Sequence, residues 1–369
     1  MFKIIFRINK KKILFKSWNG VSYSCNPRAI SEDLYKKDPS IEFVWAFKEP
    51  NKKKKIVPHY VKCVKANSLK NIYELVTSKV WIFNNESSVG KFKRKNQIYI
   101  QTWHGDRGLK KVLYDIKNND SVKSPLSEEK YCDLMITGSK FGESKLRSAF
   151  HYDGEFLRNG CPRNDILIAQ NAEYIKQIKQ KLSIRPDTKI VMYAPTFRKK
   201  DKLMNKGFEI KDINLENVIE VLENKSGEDW VCLIRAHITV SGFLGEMQNH
   251  KILDVSEYEE MSHLLLITDL FITDYSSSCG DFILTKKPLI LYHADIDEYT
   301  KNDRTFYFNV NDTPFWVANS QDALLTHIES MNEQSILENC KALIAFYGVY
   351  ETGCAGVLAA DYILDLFGN

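Results

Sequence analysis

The chain has 369 residues, 44% of them hydrophobic and 27% charged, with a formal net charge of +5. That length exceeds one ordinary core and predicts two domains, and the balance is globular rather than disordered. The longest apolar runs, such as "HLLLITDLFI", are broken by polar residues, which excludes a bilayer-spanning helix.

The opening "MFKIIFRINKKKILF" alternates like a strand, and "KIIFRI" is taken as the first one. It lacks the long apolar core and cleavage site of a signal peptide, so the expected location is the cytosol or the inner face of a membrane. "FVWAF", "VWIFN", "IYIQTW" and "DLMITG" follow as strands, alternating with helices over Leu69–Thr77 and Lys140–Ala149. A helical segment at Ala169–Leu182, then "SIRPDTK", marks the passage to a second half of the same rhythm. There, "KIVMYAPTF", "WVCLIRAH", "HKILDVS", "LFITDYSS" and "KPLILYH" alternate with helices at Leu215–Glu223, Tyr258–Leu266, Cys279–Thr285 and Gln321–Met331. The chain closes in helical pattern from Ser335 to Phe367, interrupted near Gly348 and Gly353. Short β-branched and aromatic runs between amphipathic helices are the pattern of βαβ units on parallel sheets. The expected fold is therefore α/β: two doubly wound, Rossmann-like domains facing a cleft. Their expected limits are residues 1–170 and 171–350, with a C-terminal helix at 351–369.

Eight scattered cysteines without a Cys-x-x-Cys pair predict reduced, mostly buried thiols and no zinc site. Lysine-rich clusters stand at Asn9–Lys12, Lys52–Lys55, Lys91–Lys95 and Arg198–Lys202. They are either solvated loops or a surface for an anionic membrane. Nucleic acid is disfavoured, because no zinc finger, RNP-like pattern or helix-turn-helix is present.

Ligands of such sheets bind beyond the carboxyl ends of the strands. Four strand ends carry unusual polar residues: His104 and Gly105 after "IYIQTW", Thr196 and Arg198 after "KIVMYAP", Arg235 and His237 in "LIRAH", and Asp274 with Ser276–Ser278 in "FITDYSSS". Serines where a strand gives way to a helix are either caps or an anion cradle, and their company at four strand ends favours the cradle. A neutral imidazole at His104 can take a proton from an attacking hydroxyl. Arg198 has a planar fork suited to phosphate, and His237 can donate to phosphate oxygens. Arg235 has the carbonyls of a neighbouring strand as its alternative partners. No phosphate-binding P-loop, no Gly-x-Gly-x-x-Gly after the first strand and no Gly-x-Ser-x-Gly elbow is present.

The ordered set "GVSYSCNPRAI", "QTWHGDRGLKK", "NGCPRND", "YAPTFR", "LIRAH" and "LFITDYSSSCGDF" resembles the CDP-glycerol glycerophosphotransferases, the polymerases and primases of wall teichoic acid and related capsules. The resemblance runs from about Ser17 to about Tyr292, and relative to the larger polymerases the chain looks like the catalytic module alone. It implies a GT-B architecture with the donor nucleotide in the C-terminal domain. It also implies that His104 and His237 match two essential histidines, and that Asp274, Ser276 and Ser277 match the donor-phosphate segment. Arg198 matches a Thr-aromatic-Arg motif. Asp281 stays in register, and Gly105, Arg235 and Asp281 complete the substrate-binding candidates. One departure is Cys279–Gly280, where the family usually has a bulky residue before Asp-Phe.

The implied reaction uses CDP-glycerol and a lipid-linked glycan or polymer acceptor at the cytoplasmic face of the membrane, with His104 as base and CMP as leaving group. No metal or cofactor is expected. A CDP-ribitol donor, a GT-B glycosyltransferase using a nucleotide sugar, and a non-catalytic envelope scaffold stay open as alternatives.

Overall fold

In the computed structural model, residues 6–116, 126–196, 213–236 and 250–368 are described. The chain divides into two units. The first comprises 1–106, 112–165 and 349–369, and the second 107–111 and 166–348.

The first unit holds seven strands: β1 (Asn9–Lys16), β2 (Glu42–Phe47), β3 (Val61–Lys65), β4 (Ser78–Phe83), β5 (Ile98–Gln101), β6 (Leu134–Ile136) and β7 (Glu155–Leu157). Their order is β3-β2-β1-β4-β5-β6-β7, every pair parallel. Strands buried on both faces read as continuous apolar runs, because each face needs its own partner layer. Ile13, Phe15, Trp45 and Phe47 supply one face, and the C-terminal helix Ala355–Gly368 covers it with Ala359, Ala360 and Ile363. Leu14, Val44, Trp81 and Tyr99 point to the other face, against Leu75 of the helix Leu69–Thr77.

The second unit holds β8 (Lys189–Ala194), β9 (Trp230–Ile234), β10 (Ile252–Asp254), β11 (Leu270–Thr273), β12 (Leu289–Tyr292) and β13 (Trp316–Ala318). Their order is β10-β9-β8-β11-β12-β13, again all parallel. Both orders are doubly wound, so each unit has one switch point: between β1 and β4 in the first, and between β8 and β11 in the second. This is the expected GT-B-like pair of parallel α/β units.

Two expectations need correction. Residues 6–8 of "KIIFRI" are not in a strand, and its first three residues lie outside the described residues. The first described strand is Asn9–Lys16, which runs through the lysine cluster. Lys12 can lie in it because its ammonium is buried against Glu74 (2.8 Å) and the Thr77 hydroxyl (2.9 Å). The clusters are also less available than their composition suggests. Lys11 pairs with Asp38 and Lys93 with Asp133, while Arg94 donates to the carbonyls of Phe6 and Val76. None of the eight cysteines forms a disulfide in the structure, and five of them are buried, in line with the expectation of mostly buried thiols.

Candidate functional site

β5 ends at Gln101, and the chain then turns sharply to present His104. Trp103 adopts a left-handed backbone (φ 49°), a strained state for a bulky residue that its surroundings must impose. They do so through side chains. Gln101 accepts the Trp103 N–H (2.9 Å), while Asn26 donates to the carbonyls of Thr102 (3.0 Å) and Trp103 (3.2 Å). Gln101 in turn donates to the Asn85 carbonyl, and Tyr99 and Gln101 both donate to the buried Glu128 carboxyl. Burial pushes that carboxyl up to about 7.

The half-buried His104 ring stands beside the indoles of Trp103 and Trp18, at centroid distances of 4.1 and 4.5 Å. Its Nδ1 lies 2.6 Å from the carbonyl oxygen of Asn84, just past β4. A carbonyl only accepts, so Nδ1 carries the proton and the lone pair sits on Nε2. Among the described residues Nε2 has no hydrogen-bond partner, unlike a satisfied core histidine. Burial lowers the imidazole to about 4; the Asn84 bond opposes this, and the charges of Arg163 and Lys145 add to it. The ring is therefore neutral across the physiological range, with its free nitrogen at the first unit's switch point.

The quoted motifs meet here. Asn26 of "GVSYSCNPRAI" also accepts the backbone N–H of Arg163 from "NGCPRND" (3.1 Å). The carbonyl of Gly105 is held by the buried ammonium of Lys145. Asp106 accepts from Thr137 (2.7 Å) and Ser139 (2.6 Å) at the start of the helix Lys140–Phe150. A Cβ on Gly142 would come within 2.1 Å of that carboxylate, so the close approach requires glycine.

In the second unit, Asp274 follows β11 at the switch point. Its carboxylate accepts the N–H of Thr196 (2.8 and 2.9 Å), just past β8, and the N–H of Tyr275. A buried carboxylate occupied in this way ties two strand ends together, so its geometry is that of a positioning residue rather than a phosphate ligand. The Ser276 and Ser278 hydroxyls bond one another at 2.7 Å, and Ser278, preceding the helix, makes no side-chain cap. Ser277 is half-buried, and its hydroxyl makes no hydrogen bond among the described residues. These serines do not act as ordinary caps. The helix itself is a single turn, Cys279–Phe282, continued by a 3-10 turn, so a large helix dipole is not available.

Asp281 pairs with Arg107 at 3.1 Å, and Arg107 Nε donates to the Gly280 carbonyl at 2.6 Å. The Cys279–Gly280 departure thus has a physical reason. A Cβ on Gly280 would stand 2.7 Å from the Arg107 carbonyl oxygen and 2.3 Å from its Cβ. Arg235 caps the carbonyls of Val255 (2.7 Å), Ser256 (2.7 Å) and Tyr258, taking the alternative open to it from the sequence. Arg198 and His237 lie outside the described residues. Among the described residues, no group of three or more His, Cys, Asp or Glu could hold a metal.

Sequence reasoning missed Asn84, Trp18, Gln101 and Asp106 as site-building residues. The doublet "NN" after "VWIF" and the tryptophan after "FKS" stand at strand ends, which was the available signal. Glu128 had none, being distant in sequence from every motif.

The family model described as CDP-glycerol:poly(glycerophosphate) glycerophosphotransferase matches residues 1–351. The chain is 34% identical to a teichoic acid poly(glycerol phosphate) polymerase of Staphylococcus epidermidis, over 97% of this chain and 50% of that protein. It is 32% identical to a teichoic acid glycerol-phosphate transferase of Staphylococcus aureus, over 94% of this chain and 90% of that one. The chain thus spans about half the length of the first relative and nearly all of the second. Among solved structures, it resembles a histidine-to-asparagine variant of the wall teichoic acid polymerase TagF with CDPG, with a TM-score of 0.87 and 31% identity. That likeness covers 98% of this chain and 90% of that one.

Proposed function

Because the chain belongs to the CDP-glycerol:poly(glycerophosphate) glycerophosphotransferase family, we propose that it transfers glycerol phosphate from CDP-glycerol to a hydroxyl of a lipid-linked teichoic acid or capsular polymer acceptor, releasing CMP. The observation that carries this reading is the neutral imidazole of His104, its Nδ1 tied to Asn84 and its Nε2 open. In the proposed step, Nε2 takes the proton of the acceptor hydroxyl. The oxygen attacks the distal phosphorus in line, the bond from that phosphorus to the bridging oxygen breaks, and CMP departs with the electron pair. The hydroxyls of Ser276 and Ser277 hold the donor phosphates. Arg198 and His237, assigned by resemblance, stabilise the charge that develops on the phosphoryl oxygens. Asp274, Asp281, Gly105 and Arg235 support the reaction by positioning. The test is incubation with a lipid acceptor and either CDP-glycerol or UDP-sugars. CMP release with the first alone is expected, and turnover of UDP-sugars would favour the glycosyltransferase alternative.

Ser277→Ala separates the donor role from a structural one. Among the described residues the hydroxyl has no partner to lose, so the melting temperature should stay within a degree while CDP-glycerol affinity falls. The expected loss is about 1.5–3 kcal/mol, the contribution of one hydrogen bond to a charged group. Lost stability with unchanged affinity would restore the capping role.

The acceptor reading also calls for attachment to a membrane surface. Among the described residues, no helix is long and apolar enough to cross a bilayer. The short helix Pro50–Lys53 and the turn after it carry Lys52–Lys55, followed by Ile56 at 59% exposure. Each lysine near an anionic leaflet contributes about 1 kcal/mol, and salt screens the attraction. Binding to anionic but not neutral vesicles is expected, lost at high salt and lost when Lys52–Lys55 become glutamine. Salt-insensitive binding would instead point to insertion of apolar side chains.

A further inference from the structure

The indole of Trp18 forms an aromatic surface beside His104 that no step above uses. Trp18 stands two residues after the end of β1, and it is 40% exposed although its ring sits against a half-buried imidazole. Its backbone is left-handed (φ 48°), as is that of Asn19 (φ 53°). Strain of this kind persists only where the surroundings over-determine it. Here Asn84 does so. Its Oδ1 accepts the Trp18 N–H (2.9 Å), its Nδ2 donates to the Ser17 hydroxyl (3.1 Å), and its backbone carbonyl accepts from His104 Nδ1 (2.6 Å). One fully buried side chain and its own carbonyl thus lock the indole and the imidazole to each other. An indole held at a strain cost, yet left open on one side, is a preorganised apolar platform. The buried Arg163 and Lys145 both act on the His104 ring electrostatically, which places it in a positive field. An apolar face beside an unprotonated nitrogen in a positive field matches a polyol phosphate terminus, which offers C–H surface, a hydroxyl and an anion.

We propose that Trp18 is a specificity-determining residue of the acceptor site: its indole face packs against the C–H surface of the terminal polyol unit and sets a hydroxyl of that unit at His104 Nε2. The assignment rests on the reading of His104 as the base that serves the acceptor. It accounts for why a bulky residue is kept left-handed at an exposed position.

The test uses the full chain without donor and a synthetic glycerol phosphate oligomer as probe, with binding followed by calorimetry. Trp18→Ala should weaken oligomer binding about tenfold, within the range of aromatic packing contributions, and Trp18→Phe should restore most of it. His104→Ala should still bind. In turnover, Trp18→Ala should raise the acceptor KM about tenfold while kcat and the CDP-glycerol KM stay within about twofold, a split that a merely structural role would not produce. Oligomer binding by Trp18→Ala equal to wild type overturns the proposal, as does a Trp18→Phe variant no better than alanine. Wild-type protein that binds the oligomer through Trp18 yet releases no CMP upholds the platform and overturns the transfer reaction instead.

Discussion

Replacing His104 with alanine is expected to lower turnover by about a hundredfold to ten-thousandfold, the span for loss of a general base, without lowering the melting temperature. The fold should tolerate the change because, among the described residues, the ring makes a single internal hydrogen bond, to the Asn84 carbonyl. The pH dependence gives a second handle. The base must be neutral to work, and burial lowers its pKa to about 4. Activity expressed as kcat/KM should therefore hold through pH 6, where an ordinary histidine is already mostly protonated, and fall only toward pH 4. The same profile in His104→Ala should lack that acidic limb. Near-wild-type turnover in the alanine variant, or an acidic limb centred near 6.5, would remove His104 from the role of base.

The largest structural effect is expected at Arg107. Its side chain is fully buried, and its guanidinium serves both the Asp281 carboxylate and the Gly280 carbonyl. Arg107→Met keeps much of the volume but removes the cation, leaving a buried carboxylate without its counter-charge. Breaking one side of a buried pair costs about 3–5 kcal/mol. At roughly 2–4 °C per kcal/mol for a unit of this size, the second unit should melt about 6–20 °C lower. Gly280→Ala should act in the same direction, because the added Cβ meets Arg107 backbone that cannot rotate away. Both variants should also weaken CDP-glycerol binding, since Gly280 N–H bonds the Ser277 carbonyl (3.2 Å) in the turn that presents the serines. The double variant Arg107→Met/Asp281→Asn should recover part of the loss. An Arg107→Met protein that melts within a degree of wild type would show that the pair contributes nothing.

The local pattern of apolar runs and helix periodicity determined the fold class. The helix at Leu69–Thr77 lies where its amphipathic spacing puts it, and β2, β4, β11 and β12 coincide with the β-branched and aromatic runs. Buried on both faces, such strands carry few polar residues and their signal is strong, whereas β1 conceals its signal because Lys12 is buried there against Glu74. The strands that escaped notice, β3, β7 and β13, are sheet edges. They are short or half polar, as in "VKCVK", because one side faces water, and nothing in a sequence window separates them from loops. The strand-end rule likewise brought His104 and the serines into view, since polar residues directly after apolar runs are visible locally.

Side-chain duty was decided by tertiary structure alone. Three charged residues counted from the sequence as substrate-binding (Asp274, Asp281 and Arg235) are occupied by Thr196, Arg107 and the carbonyls after β10. Lys12, counted among surface lysines, is buried against Glu74, sixty-two positions away. A charge in a sequence carries no mark of its partner. Whether it meets a ligand, a neighbour or solvent depends on what the fold brings within about 3 Å of it, and that distance is set by long-range packing.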